Sequence, residues 1–283
     1  MPLRLTVKTG SIILLGTAAL CVGVMKLRRE TNGLRNAISP QYWSDRAVGR
    51  DLYNPDDRFF KRGPHGVKEV CFTFDDGPHA QSATKLLDLL KERGIHVTFF
   101  VVGQRVKEHP ELVKRMIDEG HEVGNHTQDH LRLPTLRLDQ VEKEITNCEL
   151  NVERAAGVKM AYFRPPGMQY TPAIMEIIKK KGYTTIGWDI GAKDFTGKDG
   201  TPDVIRERVV KQINPGAIIL LHDNPITVAA MPAILDYLNQ EGYTIKTVTQ
   251  MLAELPRPVA IIPNPPFKLA EKSGSGKPLP PRH

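Results

Sequence analysis

Between residues 68 and 255 the chain alternates short apolar, β-branched runs with longer stretches in which apolar residues recur every three or four positions. The runs 69–74, 96–102, 122–124, 161–164, 184–188, 217–221 and 244–247 read as strands. The intervening stretches 81–93, 110–119, 138–156, 172–181, 202–212, 231–240 and 248–255 read as helices. In the first of these helices Ala83, Leu86, Leu87 and Leu90 form one stripe, and Lys85, Lys91 and Glu92 lie opposite, as in a helix that covers a sheet. Gly94, Gly120 and Gly182 follow three of the helices, where a left-handed residue ends a helix most easily. Seven strand–helix units in one run, with no glycine-rich turn after the first strand, predict a parallel α/β barrel over an open dinucleotide-binding sheet.

Both flanks break the pattern. Residues 9–25 are a run of 17 without charge, bounded by Arg4 and Lys8 before it and Lys26, Arg28 and Arg29 after it. That length lies between a secretory core of ~7–15 residues and a span of ~20. No small-residue cleavage site follows it, so residues 1–30 are expected to be an uncleaved membrane anchor that leaves the catalytic domain outside; a cleaved signal would make the protein secreted. Residues 31–67 turn to Arg, Asp, Asn, Gly and Pro with scattered aromatics and read as a linker without regular structure. Eight prolines fall after Leu255, with a Ser-Gly run at 273–276, so residues 256–283 are expected to form a disordered tail.

The net charge of +7 acquires meaning only by segment. Residues 68–255 carry a net −3, and the whole excess of basic side chains lies in the two flanks. A slightly acidic domain argues against nucleic acid as a partner, while the basic flanks suit a membrane or an anionic envelope. No obligate protein partner is indicated. The cysteines, Cys21, Cys71 and Cys148, are too far apart for a CxxC knuckle, so any metal must be held by histidine and carboxylate.

Titratable groups recur where the predicted strands end: Asp75-Asp76-Gly77-Pro78, His126 to His130, Arg164-Pro165-Pro166-Gly167, Trp188-Asp189 and His222-Asp223. In a parallel barrel these ends share one face, where sites are built. Asp75 and Asp76 point in different directions, so one carboxylate can bind a cation while the other accepts a proton. His126 and His130 are four apart, which on a helical turn puts both rings on one side, and with Asp76 they make a three-ligand set for a catalytic metal. His222 ends an apolar strand, a placement suited to a general acid. Arg164 could hold a carboxylate bidentately.

Thr73 to Pro78, His126 to His130, Arg164 to Gly167 and Leu220 to Asp223 together resemble the ordered motifs of the NodB-type polysaccharide deacetylases, carbohydrate esterase family 4. The resemblance implies a distorted (β/α) barrel with seven strands, a divalent metal (usually zinc, with cobalt or another divalent ion as alternatives), and hydrolysis of N-acetyl groups on an amino-sugar polymer such as peptidoglycan or a chitin-like chain. It further implies that Asp76, His126 and His130 hold the metal, that Asp75 is the base and that His222 is the acid. Arg164 would keep Asp75 ionised. The backbone N–H near Gly167 or Met168 would bind the oxyanion, and Pro165, Gly167, Trp188 and Leu220 would line the substrate pocket. Two departures stand out. Gly167-Met168 replaces a common aromatic, which motivates an O-acetyl ester on a glycan such as xylan, or a small amide, as alternative substrate. Gly191 replaces an Asp expected to orient the histidine, leaving Asp194 or Asp189 as substitutes and a non-catalytic glycan-binding domain as a further alternative.

Overall fold

The computed structural model describes residues 59–64, 66–195 and 200–253. The strands are β1 (Phe59–Phe60), β2 (Glu69–Asp75), β3 (Thr98–Val101), β4 (Glu122–Asn125), β5 (Tyr162–Phe163), β6 (Thr184–Ile186), β7 (Ile190–Gly191), β8 (Ala217–His222) and β9 (Thr244–Lys246). The helices are α1 (Ala80–Glu92), α2 (Gly103–Glu108), α3 (Pro110–Asp118), α4 (Leu138–Ala156), α5 (Pro172–Lys180), α6 (Pro202–Val210), α7 (Pro225–Gln240) and α8 (Val248–Ala253).

All pairings between these named strands are parallel, and the order is β1-β6-β5-β4-β3-β2-β8-β7, with β9 on the first half of β2; a single antiparallel bridge joins Arg62 to Ala217. β6 and β7 lie near opposite ends of that order yet are separated by only Gly187, Trp188 and Asp189 in the chain. The sheet must therefore curl round on itself, as a distorted barrel does. Phe59–Gly63 runs along the seam: Gly187 N–H donates to Phe60 O at 2.8 Å, and Gly63 N–H donates to Gly216 O at 2.7 Å.

The period of two along β2 and β8 sorts the core. Val70, Phe72, Phe74, Ile219 and Leu221 face outward, where they pack with the stripe of α1 (Ala83, Leu86, Leu87, Leu90). Cys71 and Ile218 face inward, with Phe100 and Ile186, and close the lower half of the barrel. Above them the same inward rows carry Thr73 and Asp75 on β2, and Leu220 and His222 on β8. Apolar packing thus fills the base and polar groups occupy the mouth.

Several expectations are revised. Residues 31–67 are not wholly without regular structure, because the buried aromatics Phe59 and Phe60 form β1, so the folded domain starts before residue 68. The structure has nine strands among the described residues against seven expected; β1 and β7 have two residues each, too short for any period to show. α2 was missed for the same reason, and α7 begins six residues before the expected 231. Its start is capped by Asn224, whose Oδ1 accepts from Ile226 and Thr227 N–H at 3.0 and 2.9 Å, with Pro225 at the first helical position. Among the described residues no helix is long and apolar enough to cross a membrane. The expected anchor (1–30) and tail (256–283) lie outside the described residues. Cys71 and Cys148 are free and buried, and burial pushes the Cys148 thiol up to about 12, so neither is poised to react.

Candidate active site

The mouth of the barrel gathers the predicted residues. Asp75 is the last residue of β2 and nearly buried, whereas Asp76 follows it with φ 69°, a left-handed turn that swings its carboxylate out of the strand. Asp76 Oδ1 lies 3.4 Å from His126 Nε2 and 3.1 Å from His130 Nε2. The two histidines do not ride a helical turn, as their spacing suggested. They belong to a loop in which Thr127 and His130 have φ of 71° and 54°. That loop is held by its own polar side chains: Thr127 N–H donates to Asn125 Oδ1 at 2.8 Å, His130 N–H to Thr127 Oγ1 at 3.1 Å, and Asp129 N–H to the buried Glu144 at 2.9 Å. The same two rings still converge, with centroids 4.9 Å apart.

These three side chains fit a divalent ion. Their ligand atoms lie within 4.8 Å of one another. With bonds near 2.0–2.1 Å, a tetrahedral ion separates neighbouring ligands by roughly 3.3 Å, close to the distances Asp76 Oδ1 makes with both nitrogens. Asp76 Oδ1 is also buried without a hydrogen-bond partner, the condition a cation would relieve. His126 Nδ1 sits 2.6 Å from Arg164 O, which fixes the ring so that Nε2 faces Asp76. Burial opposes ionisation of Asp76, but the two imidazoles outweigh it and hold its carboxyl far below the usual range.

Arg164 is fully buried inside the barrel. Its Nη1 donates to Asp75 Oδ1 at 2.6 Å and to Thr73 Oγ1 at 2.8 Å, its Nε to Ile186 O at 2.9 Å and its Nη2 to Gly187 O at 2.8 Å. The expected bidentate grip on a carboxylate is therefore absent: a single nitrogen serves Asp75, and the rest of the fork is spent on two carbonyls. The guanidinium also stacks 4.2 Å from the Phe100 ring. Thr73 was not singled out by sequence, although its place two residues before Asp75 on an inward row could have revealed it.

His222 faces the centre from β8, with Nε2 3.7 Å from Asp76 Oδ2. Its Nδ1 lies 2.8 Å from Asp194 Oδ1, and its backbone N–H donates to Asp194 Oδ2 at 2.7 Å. Thr227 Oγ1 and Asn224 Nδ2 complete the shell of Asp194, at 2.6 and 3.3 Å. Of the two substitutes, then, Asp194 occupies the orienting position and Asp189 does not: Asp189 is exposed and accepts from Asn214 near the start of β8. At Gly191 itself a Cβ would make no more than an ordinary contact, 3.4 Å from Trp188 Nε1. Burial disfavours the charged form of His222, but Asp194, Asp75 and Asp76 outweigh it and raise the ring to about 9. Phe195, 67% exposed, sets its edge against that ring at 5.6 Å.

Trp188 and Leu220 both adjoin Gly191, Leu220 as its partner across β7 and β8. Pro165 is buried beneath the Pro166–Met168 turn, and Gly167 is exposed with φ 57°. Met168 N–H already donates to Pro165 O at 2.9 Å, which removes it from the two backbone groups expected to meet an oxyanion. Asp223, fully buried, was not assigned a role. It accepts from His79 N–H at 2.8 Å and contacts the His79 ring, tying the Asp75–Asp76 turn to β8.

A parallel α/β barrel whose mouth gathers a possible two-histidine, one-aspartate metal site, a buried carboxylate and a carboxylate-oriented histidine has the groups that a hydrolase needs to activate water and protonate a leaving group. The polysaccharide deacetylase family profile matches residues 62–186. A peptidoglycan-N-acetylglucosamine deacetylase of Bacillus cereus is 35% identical over 67% of this chain and 90% of its own length. The peptidoglycan-N-acetylmuramic acid deacetylase PdaA of Bacillus subtilis is 35% identical over 69% and 75%. Among solved structures, a carbohydrate esterase family 4 pseudoenzyme from Bacillus anthracis superposes with a TM-score of 0.66 at 29% identity, covering 71% of each chain. The chain belongs to the polysaccharide deacetylase family, the NodB-type carbohydrate esterases, and is an enzyme of that hydrolase class.

Proposed function

We propose that this protein removes N-acetyl groups from amino-sugar residues of a peptidoglycan-type polysaccharide, using a divalent ion, zinc above all, held by Asp76, His126 and His130. The observation that carries the reading is the convergence of both imidazole Nε2 atoms on Asp76 Oδ1, with Asp75 and His222 on either side. When bound, such an ion acts as a Lewis acid, lowering the pKa of water toward ~7 and polarising the acetyl carbonyl.

The remaining steps belong to the side chains. Asp75 Oδ1 is engaged by Arg164, so Oδ2, on the His126 side, is the oxygen that takes the proton of the attacking water. The Gly167 N–H would meet the oxyanion, since the Met168 N–H is already engaged by Pro165 O. Asp194 holds His222 Nδ1, leaving Nε2 to deliver a proton to the departing nitrogen as the C–N bond breaks; the products are acetate and a free amine. An amine leaves poorly without that proton, so a histidine kept charged through neutral pH suits an amide. Trp188 and Leu220 would enclose the acetyl methyl, over Pro165.

Acetate release from N-acetylglucosamine oligomers tests this. Release is expected to stop with a chelator, return with zinc and be lost in Asp75→Asn; a zinc-loaded protein inert on every N-acetylated glycan would refute it. The pseudoenzyme relative shows that the fold alone does not guarantee turnover, and the intact set of five side chains here is what favours catalysis. A second reading, an O-acetyl esterase, rests on the open wall at Gly167, where a Cβ would meet only the Gln169 side chain at 3.8 Å and beyond. Comparing N-acetyl and O-acetyl rates on matched sugars separates the two. The apolar run 9–25 with its basic neighbours would hold the enzyme at a membrane, facing an anionic envelope.

A further inference from the structure

The last backbone pair between β2 and β8 is Asp75 with His222. Beyond it the two chains diverge, and a side chain takes over from the ladder. Asp223 Oδ2 accepts from His79 N–H at 2.8 Å, and Oδ1 contacts His79 Nδ1. Both oxygens of a fully buried carboxyl group are thus spent on one residue. An apolar side chain would fill that space without taking a carboxyl group out of water, so the burial of Asp223 calls for a role beyond packing.

The segment it grips carries Asp76. That residue has φ 69°, a conformation uncommon outside glycine, and its Oδ1 lies between the Nε2 atoms of His126 and His130. A short turn between a strand and a helix does not fix a side chain so closely by itself, and the hold comes from its neighbours. From one side Val102 N–H donates to Gly77 O at 3.0 Å, and Gly103 and Gln104 N–H go on to Thr127 and Gln128 O at 2.9 Å each. From the other side Asp223 holds His79, the residue that starts α1. Gly77 shows how close that approach is, since a Cβ there would stand 2.6 Å from Asp223 Oδ2. Asp223 is also one peptide away from His222, whose Nε2 lies 3.7 Å from Asp76 Oδ2.

We propose that Asp223 and His79 form a positioning pair, which holds the Asp76 carboxylate where it can ligate the ion and at a set distance from His222. Both act through Asp76 and His222, and neither exchanges a proton with the substrate. The inference rests on the metal-dependent deacetylase reading of the centre and deepens it: one contact outside the ligand set governs metal affinity and proton delivery together.

Zinc affinity of the full-length protein, measured by competition with a chromogenic chelator well below the melting point, is the first test. His79→Ala keeps the backbone bond to Asp223 and loses the ring, and is expected to weaken zinc about tenfold; Asp223→Ala loses both contacts and is expected to weaken it about a hundredfold. His79→Asn, whose Nδ2 can stand where Nδ1 stands, should recover most of the parent affinity. The visible absorption band of the cobalt-loaded protein should shift in His79→Ala and return in His79→Asn, which a contact serving only the fold would not produce. With zinc saturating, kcat on N-acetylglucosamine trimer should fall about tenfold in His79→Ala at unchanged KM. A His79→Ala protein that melts lower yet keeps the parent zinc Kd and cobalt band overturns the pair; where Asp223→Ala does not fold, His79→Ala alone decides. The two readings fail separately. A zinc Kd that depends on His79 in a protein releasing no acetate sustains the pair and refutes the deacetylase reading, and acetate release with a zinc Kd indifferent to His79 does the reverse.

Discussion

At the scale of single residues, the centre depends on charges that are each tied to a counter-charge. His222 is raised to about 9 against burial by Asp194, Asp75 and Asp76. In the metal-free protein its imidazolium therefore adds stability fully present below the unfolded value near ~6.5, and lost as pH rises through about 9. Asp194→Asn removes the carboxylate it touches. The NMR titration of His222 should move to lower pH, kcat should fall about a hundredfold, and its alkaline limb should shift the same way; an unmoved titration would show that Asp194 does not set the ring. Arg164 is a cation fully buried inside the barrel. Arg164→Met leaves the buried Asp75 carboxylate without its cation and two carbonyls without their donor, and is expected to cost about 3–5 kcal/mol by urea unfolding, in addition to activity. These residues were legible because chemistry-bearing types clustered at strand ends. Their partners were less so: Asp223, Thr227 and Glu144 act through contacts that only the folded chain makes, and Asp194 could be separated from Asp189 only by geometry.

Among the elements, the long periodic ones could be read and the short ones could not. α4 has the same limits in sequence and structure because its apolar stripe, Val141, Ile145, Cys148 and Val152, repeats over five turns. α2 has six residues, of which only Gly103 and Val106 are buried, so no period can emerge from it. Yet α2 joins the two ligand loops, and Gly103 shows how tightly. A Cβ there would come 2.9 Å from Cys148 Cα on α4, and would press on the Gln128 side chain as well. Backbone cannot retreat as a flexible side chain can. Gly103→Ala should lower stability by about 1–3 kcal/mol, and should also weaken zinc affinity, because the helix it displaces carries the bonds to Gly77, Thr127 and Gln128. A melting point unchanged from the parent protein would argue that α4 moves aside.

For the whole molecule, an ion held by Asp76, His126 and His130 would cross-link the end of β2 to the loop after β4, through side chains that have no reason to meet in the unfolded chain. An ion that binds only the folded protein stabilises it by about 2.7 kcal/mol when its free concentration is a hundred times its Kd. Thermal melts with chelator and with zinc should therefore differ by several degrees, and Asp76→Asn should erase the difference while leaving the chelated melt close to the parent value. If zinc raised both proteins equally, the ion would be stabilising the fold from somewhere else. The charge distribution makes the complementary statement about place. A domain of net −3 has no electrostatic reason to stay at an anionic surface, and the basic residues lie beside the apolar run 9–25 and in the proline-rich tail. Deleting residues 1–30 should release active enzyme from a membrane fraction with its acetate-releasing rate unchanged on soluble oligomers; a truncated protein that stayed with the membrane would assign retention to the folded domain or its tail instead.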